Sequence, residues 1–206
     1  MNAGKTAGLL LLAALLAGCG TSPPRTPNDI CGIFREKDDW YDAAKVTQAR
    51  WGVPIQVPFA IMYQESGFRQ DAKTPRKYLL WIIPWGRVST ASGYAQAKDE
   101  VWSDYQKSTG RYGASREHFD DAIDFVGWYM DKTYTINGVY KYDAYGQYLN
   151  YHEGWGGYRQ RTYASKAWLM PVAGKVQARS QMYAAQYAGC KNDLGRGFWS
   201  RFWHWL

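Results

Sequence analysis

A glutamate at the end of a short apolar segment is the residue of this sequence best suited to acid–base chemistry. Residues 59–64 carry no charge, Glu65 follows them, and Ser66-Gly67 is a turn signal. Apolar neighbours such as Ile61 raise the pKa of a carboxyl, and so does the negative end of a helix dipole. A carboxylic acid that stays protonated near neutral pH can act as a general acid at a glycosidic oxygen. A surface glutamate near a helix end would look the same, so this feature alone leaves both interpretations open.

Two further motifs follow this glutamate along the chain. AIMYQESGF (60–68) is followed by GYAQ (93–96) and then by NYHEGWG (150–156). In this order they resemble the catalytic motif, the G-L-M-Q motif and the A-Y-N-A-G-x-G motif of the soluble lytic transglycosylases. This family is the peptidoglycan-cleaving branch of the lysozyme superfamily. The resemblance extends over residues 58–158, and its WG-x-P, IPW, DFVGWY and YHEGWGGY segments are most similar to the lipoprotein-type subfamily.

The resemblance implies both a fold and a reaction. The fold would be mainly α, lysozyme-like in the manner of goose-type lysozymes and lytic transglycosylases, with long loops and little or no β-sheet. Glu65 would be the single acid and base that cleaves the β-1,4 bond between N-acetylmuramic acid and N-acetylglucosamine, leaving a 1,6-anhydromuramyl end. Because the sugar's own 6-hydroxyl is the nucleophile at high effective concentration, the reaction requires no second carboxylate, metal or cofactor.

Polar motif residues and loop tryptophans are expected to line the glycan cleft. Aromatic rings present a large apolar contact area to the apolar faces of pyranose rings. For each candidate, core packing or a structural hydrogen bond is the alternative interpretation. The substrate-binding candidates are Ser66, Tyr94, Gln96, Tyr151, His152, Trp85 and Trp155, with Trp81 on the same loop as Trp85.

The sequence departs from the family pattern at positions that bear on the reaction. His152 stands in place of the asparagine of the third motif, and Tyr94-Ala95 in place of Leu-Met of the second. The first two motifs are further apart than in the commoner members, which indicates a loop insertion around residues 74–88. Glu153 occupies a slot that is usually small and apolar, and we expect it to have a structural or rim role. If Glu153 faced Glu65 across a water, hydrolysis as in goose-type lysozymes would be the better interpretation.

The N-terminal residues predict secretion and lipidation. Lys5 precedes an apolar segment at residues 7–17, which is too short to span a bilayer and is typical of a signal peptide. Residues 16–19, LAGC, resemble the lipobox of bacterial lipoproteins. The resemblance implies that residues 1–18 are removed and that the sulfur of Cys19 is lipidated. Glycine at position 20 suggests the periplasmic face of the Gram-negative outer membrane.

Residues 19–30 would then form the lipidated, proline-rich tether, and residues 31–206 the catalytic domain with its aromatic C-terminal tail. In an oxidising periplasm Cys31 and Cys190 are expected to pair, with two buried free thiols as the alternative. The three histidines show no zinc-ligand spacing, so we predict no metal site.

Length, charge and aromatic content limit the classes of protein to which this chain can belong. The chain has 206 residues, a formal net charge of +7 and 17% aromatic residues, which favours one folded domain and excludes wholesale disorder. Basic charge and aromatics would suit a nucleic-acid binder, but an envelope lipoprotein would not meet nucleic acid. Peptidoglycan strands and the outer membrane are the expected partners, and we expect a monomer. A non-catalytic peptidoglycan-binding lipoprotein stays open, and so does an enzyme that serves a cell-wall-spanning machine.

Caps and periodicity predict the helices that must position the motifs. Asp38 or Asp39 begins a helix that Gly52 ends, and Pro58 opens the helix that carries Glu65. A long loop is expected over residues 69–95. Further helices are predicted over 96–107, after Ser115, from Asp143 to Glu153 with Gly154 as the residue that ends it, and between 163 and 187 with a break at Pro171.

Overall fold

Helices dominate the part of the chain that the structure, a computed structural model, describes, which is residues 22–79 and 83–194. Over 76–79 and 83–87 only the backbone is described. The helices are α1 (Ile30–Glu36), α2 (Asp38–Trp51), α3 (Gln56–Ser66), α4 (Asp99–Thr109), α5 (Phe119–Asn137), α6 (Ala144–Arg159) and α7 (Leu169–Cys190). A 3₁₀ turn, Thr162–Ser165, precedes α7. The expected mainly helical, lysozyme-like class is confirmed.

Several helix ends lie where the sequence predicted them. Gly52 ends α2 and Gly67 ends α3, each in the left-handed conformation that glycine adopts without steric cost. Asp143 caps α6 by accepting a hydrogen bond from the backbone N–H of Gly146. Gly154, the predicted end of this helix, is instead a kink with φ of 74°, beyond which the helix continues to Arg159. Pro171 lies in the first turn of α7, where proline is tolerated, and does not break that helix.

The segment between the first two motifs differs from the predicted loop. It contains β1 (Arg76–Leu79) and β2 (Ile83–Arg87), which pair antiparallel as a two-stranded hairpin. This is a small amount of sheet, as the fold class allows. The helix predicted over residues 96–107 begins three residues later, at Asp99, because residues 93–96 form a turn with positive φ at Gly93 and Gln96.

An aromatic core holds α2, α3 and α5 together. Trp40 of α2 stacks on Phe119 of α5 with ring centroids 3.7 Å apart. Phe59 of α3 and Phe68 just after it pack against the same cluster. Helix α3, which carries Glu65, also packs along α7. Because burial of such large rings is the main favourable term in folding, the site helix is anchored on both sides.

The two ends of the described chain are tied together. Cys31 of α1 and Cys190 at the end of α7 form a disulfide with Cα atoms 6.2 Å apart, as predicted. Part of the predicted tether also contacts the domain: Tyr183 of α7 donates a hydrogen bond to the carbonyl of Pro27, and Arg179 donates to Asn28. The packed region therefore begins before residue 31. Within residues 22–79 and 83–194, no helix has the length and apolarity that crossing a membrane requires.

Candidate active site

Glu65 lies in the last turn of α3, at a cavity of about 480 Å³. The cavity is walled by α5 and α6 and by the turn that precedes α4; its lining includes Gln96, Phe125, Tyr129, Tyr151, His152 and Glu153. Burial raises the pKa of Glu65 to about 7, and a hydrogen bond with Tyr148 partly offsets this rise. Near neutral pH the carboxyl is thus divided between its acid and base forms, which is the state that general acid–base work requires.

Tyr148 of α6 is the residue of the site that sequence reasoning missed. Its side chain is buried, and its hydrogen bond to Glu65 joins α6 to the end of α3. Burial and the charge of Glu65 both raise the pKa of Tyr148 far above its usual range, so the hydroxyl keeps its proton and donates to the carboxyl. The only sequence signal is its position three residues before Tyr151, on the same face of the helix.

Tyr151 links the third motif to the second. Its hydroxyl donates a 2.5 Å hydrogen bond to the carbonyl of Ala95, and its ring lines the cavity. Burial raises its pKa well above the usual value, and the nearby charge of Glu65 adds to this. Tyr151 therefore presents a fixed aromatic surface beside Glu65, while Tyr148 makes the direct hydrogen bond.

Gln96 is held in a constrained turn at the cavity wall. Its φ of 49° is rare for a residue other than glycine, and such strain is frequent at functional sites. The amide Nε2 donates to the carbonyls of Ala72 and Gly93, at 2.9 Å each. Gly93 itself is obligatory, because a Cβ at this position would lie 2.1 Å from the backbone oxygen of Arg116. The second motif is thus a rigid element that places one face of Gln96 against the cavity.

Two of the expected substrate-binding residues lie in the core. Tyr94 has no exposed surface, and its ring packs edge-on against Trp40 and Phe119. Ser66 is buried, and its hydroxyl bonds to the carbonyls of Met62 and Tyr94. Neither side chain can reach a ligand in the cavity, so the structure corrects their role. They dock the turn of the second motif onto the end of α3.

Glu153 lines the same cavity, but both of its carboxylate oxygens accept hydrogen bonds from neighbouring side chains. Its side chain is 2% exposed and accepts hydrogen bonds from Lys166 Nζ at 2.6 Å, from Thr162 and from His152 Nδ1 at 2.8 Å. Burial alone would raise its pKa, but these donors lower it to about 2. Glu153 therefore remains a charged, bonded carboxylate at neutral pH, in contrast to Glu65. This environment fits the expected structural role.

The family comparison agrees with this arrangement. A family model described as the transglycosylase SLT domain matches residues 7–190. The chain belongs to this family. Membership indicates a transglycosylase-type activity on peptidoglycan, and the match ends at Cys190, the second cysteine of the disulfide. No curated protein matches the chain.

The remaining predicted residues of this SLT domain are those whose side chains the structure describes, Trp155 and His152, and those that it does not describe. Trp155 is partly buried; it stacks on Tyr129 with centroids 4.7 Å apart and donates its indole N–H to Thr133, so it supports the cavity wall from behind. His152 lines the cavity and is bonded to Glu153. Other predictions lie outside the described residues or side chains: the signal peptide at residues 1–18, the lipid site Cys19, the loop tryptophans Trp81 and Trp85, and the aromatic C-terminal tail beyond residue 194.

One group of potential metal ligands occurs among the described residues, away from Glu65. Ligand atoms of His118, Asp120 and Asp121 lie within 4.8 Å of one another. Both carboxylate oxygens of Asp121 already accept hydrogen bonds, Oδ1 from Arg111 Nη2 at 2.5 Å and Oδ2 from the backbone N–H of Ser115. None of the three residues lines the cavity that contains Glu65.

Proposed function

We propose that this SLT domain is a lytic transglycosylase that cleaves the β-1,4 bond between N-acetylmuramic acid and N-acetylglucosamine with Glu65 as its single acid and base. The observation that carries this proposal is the environment of Glu65. A carboxyl with a pKa of about 7 lies at a cavity, held by one neutral donor, Tyr148. A module that only binds glycan would have no need for such a group.

In the proposed reaction Glu65 gives up a proton and takes one back, so it ends in the protonated form in which it began. Protonated Glu65 donates to the glycosidic oxygen, the bond from this oxygen to the muramyl anomeric carbon breaks, and the N-acetylglucosamine end leaves as an alcohol. Charge develops on the muramyl ring as in other glycoside cleavages. The Glu65 carboxylate then takes the proton of the muramyl 6-hydroxyl as O6 bonds to the anomeric carbon. The product is a 1,6-anhydro end, water is not consumed, and Glu65 is again protonated.

The state of Glu153 supports one carboxylate rather than two. A general base for water must have a free lone pair directed at that water. The oxygens of Glu153 accept from Lys166, Thr162 and His152, and its pKa of about 2 makes it a very weak base. Hydrolysis by a pair of carboxylates is therefore the less favoured outcome. Gln96, Tyr151 and His152, which line the cavity, are the proposed substrate contacts.

The test is digestion of purified peptidoglycan by residues 22–206 and by its Glu65→Gln variant, with the products weighed by mass spectrometry. We expect anhydromuramyl ends from the parent and none from the variant. Glu117→Gln is the matched control, because Glu117 is exposed and lies outside the cavity lining; it should retain activity. Reducing ends in place of anhydro ends would replace the proposal with hydrolysis, and no cleavage by the parent would favour a binding module.

For the location we propose a lipid anchor at Cys19 that holds the domain, as a monomer, on the periplasmic face of a Gram-negative outer membrane. The LAGC segment supports this, and so does the disulfide, since disulfides persist in oxidising compartments. Incorporation of labelled fatty acid into the parent, but not into Cys19→Ser, is the expected result. Unlabelled parent protein would refute the anchor.

A further inference from the structure

An exposed tryptophan stands beside the cavity. Trp168 is 56% exposed, and among the tryptophans whose side chains the structure describes it is the most exposed. At the edge of a cavity, the exposed part of this indole is placed to stack on a ligand that the cavity holds. Trp168 was not among the residues predicted to bind substrate, because it lies beyond residue 156, the end of the third motif.

A continuous row of rings connects Trp168 to the catalytic carboxyl. Glu65 bonds to Tyr148, the ring of Tyr148 lies 6.5 Å from that of His152, and His152 meets Trp168 at a centroid distance of 5.1 Å and an angle of 79°. His152 is part of the cavity lining. Because the contact with His152 is nearly perpendicular, it leaves most of the indole open to solvent. One side chain, His152, thus separates Trp168 from Tyr148, the residue that binds Glu65.

The segment that carries Trp168 is fastened to the cavity wall. Glu153 of α6 binds Thr162, the first residue of the 3₁₀ turn, and Lys166, which follows the turn two residues before Trp168. Charge-assisted hydrogen bonds of this kind are about twice as strong as neutral ones. The glutamate at this position, a departure from the family pattern, therefore holds the tryptophan segment in place. An aromatic side chain that is exposed but pre-positioned loses little conformational entropy on binding.

We propose that Trp168 forms a sugar-binding subsite at the edge of the cleft, stacking on the apolar face of one pyranose ring of the glycan strand, and that Glu153 is the positioning residue for it. The proposal rests on the proposed function for the choice of a β-1,4-linked N-acetylhexosamine chain as ligand. The adjoining cavity of about 480 Å³ would hold the neighbouring sugar at Glu65. A protein partner at this tryptophan is the competing outcome.

The binding test uses residues 22–206 carrying Glu65→Gln, so that catalysis does not interfere, with a β-1,4-linked N-acetylglucosamine hexamer as probe in titration calorimetry. Loss of an aromatic stacking contact should weaken binding about tenfold in Trp168→Ala. Trp168→Phe should retain affinity within about threefold. Glu153→Gln should weaken binding about threefold, since the segment loses its charged anchor. Tyr112→Ala is the control, because Tyr112 is 71% exposed and lies outside the cavity lining; its affinity should equal that of the parent.

The kinetic test on purified peptidoglycan uses the same substitutions with Glu65 intact. We expect Trp168→Ala to raise KM about tenfold and to change kcat less than twofold, which a merely structural role would not produce. Equal affinity of Trp168→Ala and parent for the hexamer, no hexamer binding by the parent, or an equal loss in Tyr112→Ala would overturn the subsite. If peptidoglycan is not cleaved but Trp168-dependent hexamer binding persists, the proposed function fails and this subsite stands.

Discussion

Removal of the Tyr148 hydroxyl should move the pH dependence of the reaction towards higher pH. In Tyr148→Phe the carboxylate of Glu65 loses the hydrogen bond that favours its charged form, while the burial that favours the neutral form stays. A hydrogen bond to a charged group contributes about 1.5–3 kcal/mol, and one pKa unit corresponds to about 1.4 kcal/mol. The pKa of Glu65 should therefore rise by about 1–2 units, from about 7 to about 8–9.

This shift has a definite kinetic signature, because the first step of the proposed reaction requires protonated Glu65. On the alkaline side, kcat/KM follows the protonated fraction of the free enzyme. At pH 8 the parent should retain about one tenth of its own plateau, and Tyr148→Phe about half or more. The plateau of the variant should itself be several-fold lower, since Tyr148 also orients the carboxyl.

The assay is the initial rate of soluble anhydromuropeptide release from peptidoglycan between pH 5 and 10. Tyr145→Phe is the control: Tyr145 lies on the same helix and shows no influence on the pKa of Glu65. Its alkaline limb should coincide with that of the parent. An unmoved alkaline limb in Tyr148→Phe, or one displaced to lower pH, would refute the assignment of Tyr148 as the donor that sets the pKa of Glu65.

Two further predictions concern stability. Gly93→Ala should leave little folded protein in a urea or thermal melt, because its Cβ would lie 2.1 Å from a backbone oxygen. Gly110→Ala, at a similar φ of 72° but with open space around it, should lower the unfolding free energy by only about 1–2 kcal/mol. Similar losses for both variants would contradict the steric argument. Replacing Cys31 and Cys190 together by alanine should lower the unfolding free energy by about 2–5 kcal/mol, since the bridge closes a loop of 159 residues; an unchanged urea midpoint under non-reducing conditions would count against this.

The positions of Glu65 and of several helix ends were accessible from the sequence because they depend on local chemistry. Gly52, Gly67 and Asp143 cap their helices through backbone conformation and hydrogen bonds that involve only nearby residues. Such local signals do not predict the outcome where one residue type can have two effects, as a glycine can either end a helix or kink it. Gly154 was predicted to end α6, but its positive φ only kinks the helix, since tertiary packing carries α6 on to Arg159.

The hairpin at residues 76–87 shows a different limit. Its strands have four and five residues, with a proline in the second and a bulge in their pairing. Such short strands lack the alternation over several residues that distinguishes a strand from a loop. The resemblance to the family located an insertion there, but not its conformation.

The role of each motif side chain depends on how the helices pack against one another, which the sequence alone does not reveal. Tyr148 and Tyr151 lie on one face of α6, and only the packing of α6 against α3 and the turn before α4 directs the first to Glu65 and the second to a backbone carbonyl. The same packing buries Tyr94. Motif order thus singled out Glu65 and predicted the fold class, and the expected oxidising compartment predicted the Cys31–Cys190 disulfide. Burial raises the pKa of Glu65 to about 7, and hydrogen bonds from His152, Thr162 and Lys166 lower that of Glu153 to about 2. Both environments exist only in the folded domain, and the one around Glu65 also requires Tyr148, which lies far from it in the chain.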